Sequence, residues 1–184
     1  MLLWFTSESR NQYTLHTGPG SDCVLVTNQT ATSGGAPYTG HALGTECTSS
    51  DGHNAGCGIL DTKNTSFGHG FNLAGGGVFA HRLDGVGLAM WHFERDTIPQ
   101  DIQDGIPDPS SWPTPVAFWS SLGCDFSSHL SSHHIVLNTA IGGGWAGSDY
   151  PASGCSGTSS DRIAVGKNFL GVSLRVPCVS CSAD

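Results

Sequence analysis

The chain has 184 residues, of which 26 are glycine and only 12% are charged. Its formal net charge is -8, and its 7 basic residues are scattered, which argues against nucleic acid and anionic membranes as partners. This length and composition favour one domain, 1-184, built from short strands and turns rather than helices. We therefore predict a single all-β domain.

The first predicted element is an extended strand that begins at Asn11. Gln12, Thr14 and His16 alternate with Tyr13 and Leu15, so the strand has a polar face and an apolar face. A polar strand face backed by apolar side chains is suited to form the floor of a cleft.

Seven cysteines are many for a cytosolic protein of this size, and they indicate an oxidising compartment. Cys23, Cys47 and Cys57 fall in a loop-rich region, 21–70, that a disulfide could hold in place, but spacing does not say which pair forms. The apolar start of the chain, 1–5, is too short for a signal peptide. We predict an extracellular protein, although this chain has no signal peptide.

Further along the chain, two strand-like runs flank Asp84-Gly85, a dipeptide typical of hairpin turns. The proline-rich stretch 97–119 predicts an extended surface connection. Runs at 134–141 and 171–176 predict two more strands, and the whole pattern favours a β-sandwich.

The remaining carboxylates and cysteines do not predict a metal site or a cofactor site. Glu94-Arg-Asp96 is interpreted as a surface turn, and Asp101, Asp104 and Asp108 as solvated side chains, because the ligand order of a calcium loop is absent. Cys178 and Cys181 lie in a C-terminal tail, where a disulfide or free thiols are expected.

Six ordered blocks carry a resemblance to a known family. They are Asn11 to Gly20, Asn54 to Cys57, Gly70 to Phe79, Ile98-Pro99, Pro107 to Trp112, and Trp145 to Ser148. Over about 11-176 the chain resembles the fungal, laminarinase-like endo-1,3(4)-β-glucanases of glycoside hydrolase family 16.

The resemblance implies a β-jelly-roll sandwich, concanavalin A-like, that binds a 1,3(4)-β-glucan chain. It also implies a retaining mechanism run by two glutamates of a Glu-x-Asp-x-x-Glu strand, about 5–5.5 Å apart. The family spacing places the second glutamate near Leu3 and the first before Met1. We therefore expect the jelly roll to be incomplete and both catalytic glutamates to be absent from this chain.

We assign substrate binding to Gln12, Thr14, His16 and Trp145. His16 matches a family histidine beside the catalytic carboxylates, with an ordinary hydrogen-bonded histidine as the alternative, and the strand alternation places Gln12 and Thr14 on the same face. Trp145 matches a family tryptophan at the cleft. Trp145 would pack its ring on a sugar, with core packing as the alternative. Glu8 is the only carboxylate near the expected catalytic strand, and one carboxylate cannot serve as both nucleophile and acid.

Three functions remain open at this point. The chain could be an endo-1,3(4)-β-glucanase, a non-catalytic β-glucan-binding jelly roll, or an incomplete chain without an independent function. The sequence leaves the oligomeric state open.

Overall fold

The computed structural model describes residues 2–5, 10–27, 37–131, 136, 157–158 and 160–161. The chain divides into two compact units, Met1–His134 and Ile135–Asp184, and all elements below belong to the first. The predicted strands at 134–141 and 171–176 lie outside the described residues, apart from Val136. No helix in the described part of the chain is long and apolar enough to cross a membrane. The single-domain boundary remains a prediction.

One antiparallel sheet contains the predicted first strand at its centre. Its strands are β1 (Leu2–Phe5), β2 (Asn11–Leu15), β3 (His41–Ala42) and β4 (Cys57–Leu60), in the order β1-β2-β4-β3. Tyr13 of β2 is opposite Leu3 on one side and Ile59 on the other. β2 is therefore paired along both edges.

A second antiparallel sheet contains the predicted hairpin. Its strands are β5 (Gly77–Asp84), β6 (Gly87–Glu94) and β7 (Ala117–Ser120), in that order. Asp84 Oδ1 accepts hydrogen bonds from the backbone amides of Val86 and Gly87, at 2.9 and 3.2 Å. These bonds fix the tight turn, and the hairpin prediction is confirmed.

The main core is formed by alternate residues of both sheets. Tyr13, Leu15 and Ile59 of the first sheet belong to one buried cluster with Leu88 and Met90 of β6. The intervening residues of β6 form a second cluster on the opposite face of that strand, because strand side chains alternate. The buried members of the second cluster are Ala89, Trp91, Phe93 and Phe118.

The second cluster is covered by the proline-rich stretch, which was predicted to be an extended surface connection. That prediction is wrong in part. Helix α2 (Gln100–Gln103) and a 3-10 turn (Pro109–Ser111) interrupt the stretch, and its end, Val116 to Trp119, is buried. Because of the prolines, the sequence did not predict β7, the strand that follows them immediately. Two further short helices were not predicted, α1 (Gly68–Leu73) and α3 (Phe126–His129).

Asp101 was interpreted as a solvated side chain, but it holds this covering segment together. Its Oδ2 accepts hydrogen bonds from the Asp108 backbone amide at 2.6 Å and from the Trp112 indole at 2.7 Å. The Asp108 bond is the main cause that lowers the pKa of Asp101. Among the described residues, no group of three or more potential ligands could hold a metal ion.

Two disulfides join the described cysteines, Cys23–Cys124 and Cys47–Cys57. Cys47–Cys57 closes a loop in the cysteine-rich region, as one of the expected pairings would. The partner of Cys23 is Cys124, which lies far outside that region. Buried disulfides of this kind agree with an oxidising compartment.

The two disulfides are expected to contribute unequally to stability. Their sequence separations are 101 residues for Cys23–Cys124 and 10 residues for Cys47–Cys57. In the chain-entropy model, closing loops of these lengths contributes about 5 and about 3 kcal/mol. In urea unfolding, Cys23→Ala/Cys124→Ala should therefore have the lower midpoint, compared with Cys47→Ala/Cys57→Ala. Equal losses, or a larger loss for the short loop, would contradict this account.

Candidate functional site

The polar face of β2 is arranged as the alternation predicts. Tyr13 and Leu15 are buried in the core, and the Gln12 side-chain amide donates to Thr14 Oγ1 at 3.0 Å. Gln12 and His16 are half-buried, whereas Thr14 is fully buried. The structure therefore brings Gln12 and Thr14 into direct contact, and their role in binding remains a prediction.

Two glycines on the adjacent chain segment leave space for these side chains. A Cβ atom at Gly58 would lie 2.8 Å from Gln12 Nε2 and 3.3 Å from Thr14 Oγ1. A Cβ atom at Gly56 would lie 2.8 Å from His16 Cε1. Gly56 and Gly58, which we call the glycine strip, thus lie against Gln12 and Thr14 of β2 and against His16, which follows the end of β2 and continues its polar face. The side chains of Gln12 and Thr14 lie against Gly58 of β4, which has no side chain.

His16 has one hydrogen-bond partner and one open position among the described residues. Its Nδ1 lies 3.3 Å from Ser49 Oγ, while its Nε2 is buried and has no partner. Burial lowers the pKa of His16, and the neighbouring Asn54 amide partly opposes this shift. A lowered pKa keeps the ring neutral near pH 7, with one donor and one acceptor nitrogen.

The loop closed by Cys47–Cys57 holds Ser49 beside β2. The Thr17 amide donates to the Cys47 carbonyl at 2.9 Å, and the Ser49 amide donates to the Thr17 carbonyl at 2.8 Å. These two bonds flank Thr48 and place the start of the loop directly after the end of β2. The disulfide anchors the other end at Cys57, opposite Leu15.

A buried polar cluster behind this face was not found from the sequence. The Tyr13 hydroxyl donates to Asp61 Oδ2 at 3.0 Å, and His92 Nδ1 lies 3.4 Å from the same oxygen. The Lys63 amide donates to the other carboxylate oxygen at 2.9 Å. Burial, followed by the charge of Asp61, raises the pKa of Tyr13. The residues come from three separate strand regions, and no motif spacing links them.

The described glutamates are engaged away from the polar face. Glu94 forms a salt bridge with Lys63 at 2.7 Å and accepts a hydrogen bond from Thr65. The hydrogen bond from Lys63 is the main cause that lowers the pKa of Glu94. The side chain of Glu46 accepts from the Thr48 amide at 3.0 Å. Two other predicted site residues, Glu8 and Trp145, lie outside the described residues.

Two shallow pockets in the described part of the chain lie elsewhere. One, of about 300 Å³, is lined by Arg82, Trp91, Trp112 and several prolines. Both of its indole N–H groups already donate within the protein, Trp91 to Pro113 and Trp112 to Asp101. The other, of about 330 Å³, lies at the turn of the β5–β6 hairpin. Neither pocket includes the polar residues of β2.

The sequence matches the family model of the XgeA-like catalytic domain of glycoside hydrolase family 16 over residues 4–169. The chain belongs to glycoside hydrolase family 16. This match begins within β1 and includes the polar face of β2, the glycine strip and the Cys47–Cys57 loop. The resemblance predicted from six sequence blocks is thereby confirmed.

Individual family 16 relatives support the same conclusion. A probable glycosidase of Schizosaccharomyces pombe is 37% identical over 156 residues, which are 83% of this chain and 35% of that protein. Endo-1,3(4)-beta-glucanase XgeA of Emericella nidulans is 35% identical over 149 residues, which are 80% of this chain and 23% of that protein. This chain therefore spans about a third or less of the length of these relatives.

A solved family 16 structure establishes the fold. Laminarinase 16A from Phanerochaete chrysosporium has a TM-score of 0.71 and 34% sequence identity, over 83% of this chain and 50% of that one. It was solved with 2 beta-glucans, 6-O-glucosyl-laminaritriose, in both its donor and acceptor sites. The predicted all-β jelly-roll fold is confirmed, and this chain spans about half the length of that protein.

The buried cluster gives the first prediction for this site. Tyr13→Phe removes the hydroxyl that donates to Asp61 and leaves a buried carboxylate with one fewer donor. We expect a loss of about 1–3 kcal/mol in the free energy of unfolding, measured by urea denaturation. Tyr38→Phe is the matched control, because no hydrogen bond of the Tyr38 hydroxyl is found within the described part of the chain. Equal stability of the two variants would contradict a structural role for this bond.

The glycine strip gives the second prediction. Gly56 has a φ of +66, and a Cβ there would also lie 2.6 Å from the Leu15 carbonyl oxygen. Gly56→Ala should therefore cost at least about 1–2 kcal/mol, the usual cost of a left-handed conformation. In Gly58→Ala the added Cβ meets the end of the Gln12 side chain most closely, at 2.8 Å, and the Thr14 hydroxyl at 3.3 Å, so this variant should cost less but displace the Gln12 amide.

Both effects of the glycine variants can be measured together. Urea unfolding gives the stability, and the NMR signals of the Gln12 side-chain amide report its displacement. Gly85→Ala is the matched control, since no atom lies within 4 Å of the added Cβ. An unchanged Gln12 signal in Gly58→Ala would show that Gln12 does not lean over the strip.

Proposed function

We propose that this family 16 chain binds 1,3(4)-β-glucan along the polar face of β2 and is impaired in the retaining hydrolysis of that polymer. The observation that carries the proposal is the pairing of β2 with β1. The polar face that we predict to bind substrate is present, while the neighbouring strand, Leu2–Phe5, has no carboxylic acid.

The chemistry of the polar face supports a neutral, hydroxyl-rich ligand. Gln12, Thr14 and His16 offer an amide, a hydroxyl and an imidazole, which donate to and accept from sugar hydroxyls without needing an opposite charge. The chain is acidic overall, with a net charge of -8, so polyanionic polymers are disfavoured. Two relatives, named above, are a glucanase and a laminarinase solved with β-glucans.

The impairment follows from what retaining hydrolysis requires. One carboxylate attacks the anomeric carbon and a second, about 5–5.5 Å away, protonates the leaving oxygen. The family spacing puts the second of these near Leu3, which lies opposite Tyr13 in β1. Glu46 and Glu94 are bonded to other groups, and Asp61 contacts Tyr13 on the core side of β2. Each of these three described carboxylates is thus already engaged with another group of the protein.

Trp145 and the compartment complete the proposal. The Trp145 ring would stack on the apolar face of a glucosyl unit, as the resemblance implies. The two disulfides support secretion, since such bonds persist in extracellular conditions.

The proposal predicts binding without turnover for the 184-residue chain. We expect it to sediment with insoluble 1,3-β-glucan and to release no reducing ends from laminarin above a buffer blank. Gln12→Ala should lower the affinity for the glucan, measured by sedimentation, about 5- to 10-fold, since one net hydrogen bond to a ligand contributes about 1–1.5 kcal/mol.

Gln103→Ala is the matched control, because Gln103 is an exposed amide on α2 and outside the polar face. It should sediment like the parent chain. Failure of the parent chain to bind the glucan would overturn the proposed function. Release of reducing ends by the parent chain would overturn the proposed impairment and leave glucan recognition standing.

A further inference from the structure

The contact between His16 and Ser49 carries an inference that rests on the proposed glucan binding. Among the three polar residues Gln12, Thr14 and His16, only His16 carries a ring, and its two nitrogens are in different surroundings. Nδ1 is 3.3 Å from Ser49 Oγ, and Nε2 is buried without a partner. A neutral imidazole has a single N–H, so the Ser49 contact decides which nitrogen is the donor.

The hydrogen-bond inventory of Ser49 favours one of the two tautomers. Its backbone amide is already used by the Thr17 carbonyl, and Nδ1 of His16 is the one polar partner of its hydroxyl among the described residues. If the hydroxyl donates to Nδ1, both groups are satisfied by one bond, and the proton of the ring is on Nε2. If Nδ1 donates instead, the hydroxyl proton has no described acceptor.

We propose that Ser49 is a positioning residue, which donates to Nδ1 of His16 and so fixes Nε2–H as the donor for a hydroxyl oxygen of bound β-glucan. The Cys47–Cys57 loop acts as the support for this contact, because the disulfide and the two bonds to Thr17 restrict where Ser49 can lie. An N–H that is buried without a partner is costly, and a ligand oxygen that satisfies it gains that free energy on binding.

The exposed Asn54 side chain is close enough to interact with the His16 ring. Hydrogen bonding with Asn54 raises the pKa of His16, but no contact from Asn54 to Nε2 has the distance and angle of a full hydrogen bond. It lies in the same disulfide-closed loop as Ser49 and is exposed, so it can move aside without disturbing the core. A ligand hydroxyl would then take the position next to Nε2.

The tautomer of His16 can be measured directly in the complete 184-residue chain. Long-range ¹H–¹⁵N NMR spectra of the imidazole distinguish a proton on Nε2 from a proton on Nδ1. We expect the Nε2–H tautomer in the parent chain without ligand, a mixture of tautomers in Ser49→Ala, and the parent spectrum in Ser49→Thr, which keeps a hydroxyl. Ser50→Ala is the matched control, since Ser50 is exposed in the same loop and should leave the spectrum unchanged.

Binding of a laminari-oligosaccharide, measured by titration calorimetry, is the second readout. Ser49→Ala should weaken the affinity about 5-fold, as expected for one neutral hydrogen bond, and Ser49→Thr should restore it. The parent spectrum alone decides the tautomer, even if Ser49→Ala does not fold. A proton on Nδ1 in the parent chain, or an unchanged tautomer in folded Ser49→Ala, overturns the inference. Loss of oligosaccharide binding by the parent chain overturns the proposed function instead, because the tautomer is measured without ligand.

Discussion

The hydrogen bond from Tyr13 to Asp61 is the interaction on which the candidate site depends. It joins the middle of β2 to the residue that follows β4, and the same carboxylate lies beside His92 of the second sheet. Because the bond is buried, it fixes the apolar side of β2 towards the core. The alternation of the strand then determines that Gln12 and His16 lie on the other side.

Several parts of the fold were predictable because they depend on local chemistry. The alternation in β2 is a property of consecutive residues, and Asp84-Gly85 forms its turn through bonds from one side chain to the next backbone amides. The family itself could be inferred from ordered blocks, one of which includes Gly56 of the glycine strip. The strand and the turn depend on contacts between residues close in sequence. The family could be inferred because the blocks occur in the family's order.

The features that the sequence did not predict correctly, or did not predict at all, depend mostly on contacts between distant residues. The disulfide partner of Cys23 is 101 residues away, and Asp61 meets Tyr13 across 48 residues, so neither pairing leaves a local pattern. From the sequence Asp101 resembles a solvated carboxylate, because its hydrogen bond with the Trp112 indole leaves no local pattern. The strand β7 was missed because it directly follows a proline-rich segment, and prolines favour an exposed connection.

The glycine strip also limits how this surface can change during evolution. Since Gly56 and Gly58 leave no room for side chains of their own, substitutions on this part of the chain would displace the neighbouring polar groups before adding a new contact. Sequence change on this surface is therefore less restricted in β2 and in residues 50–55 of the disulfide-closed loop. Residues 50–55 of this loop are exposed, and the loop is closed by its own covalent bond, so these positions can accept new residues while the sheet stays the same.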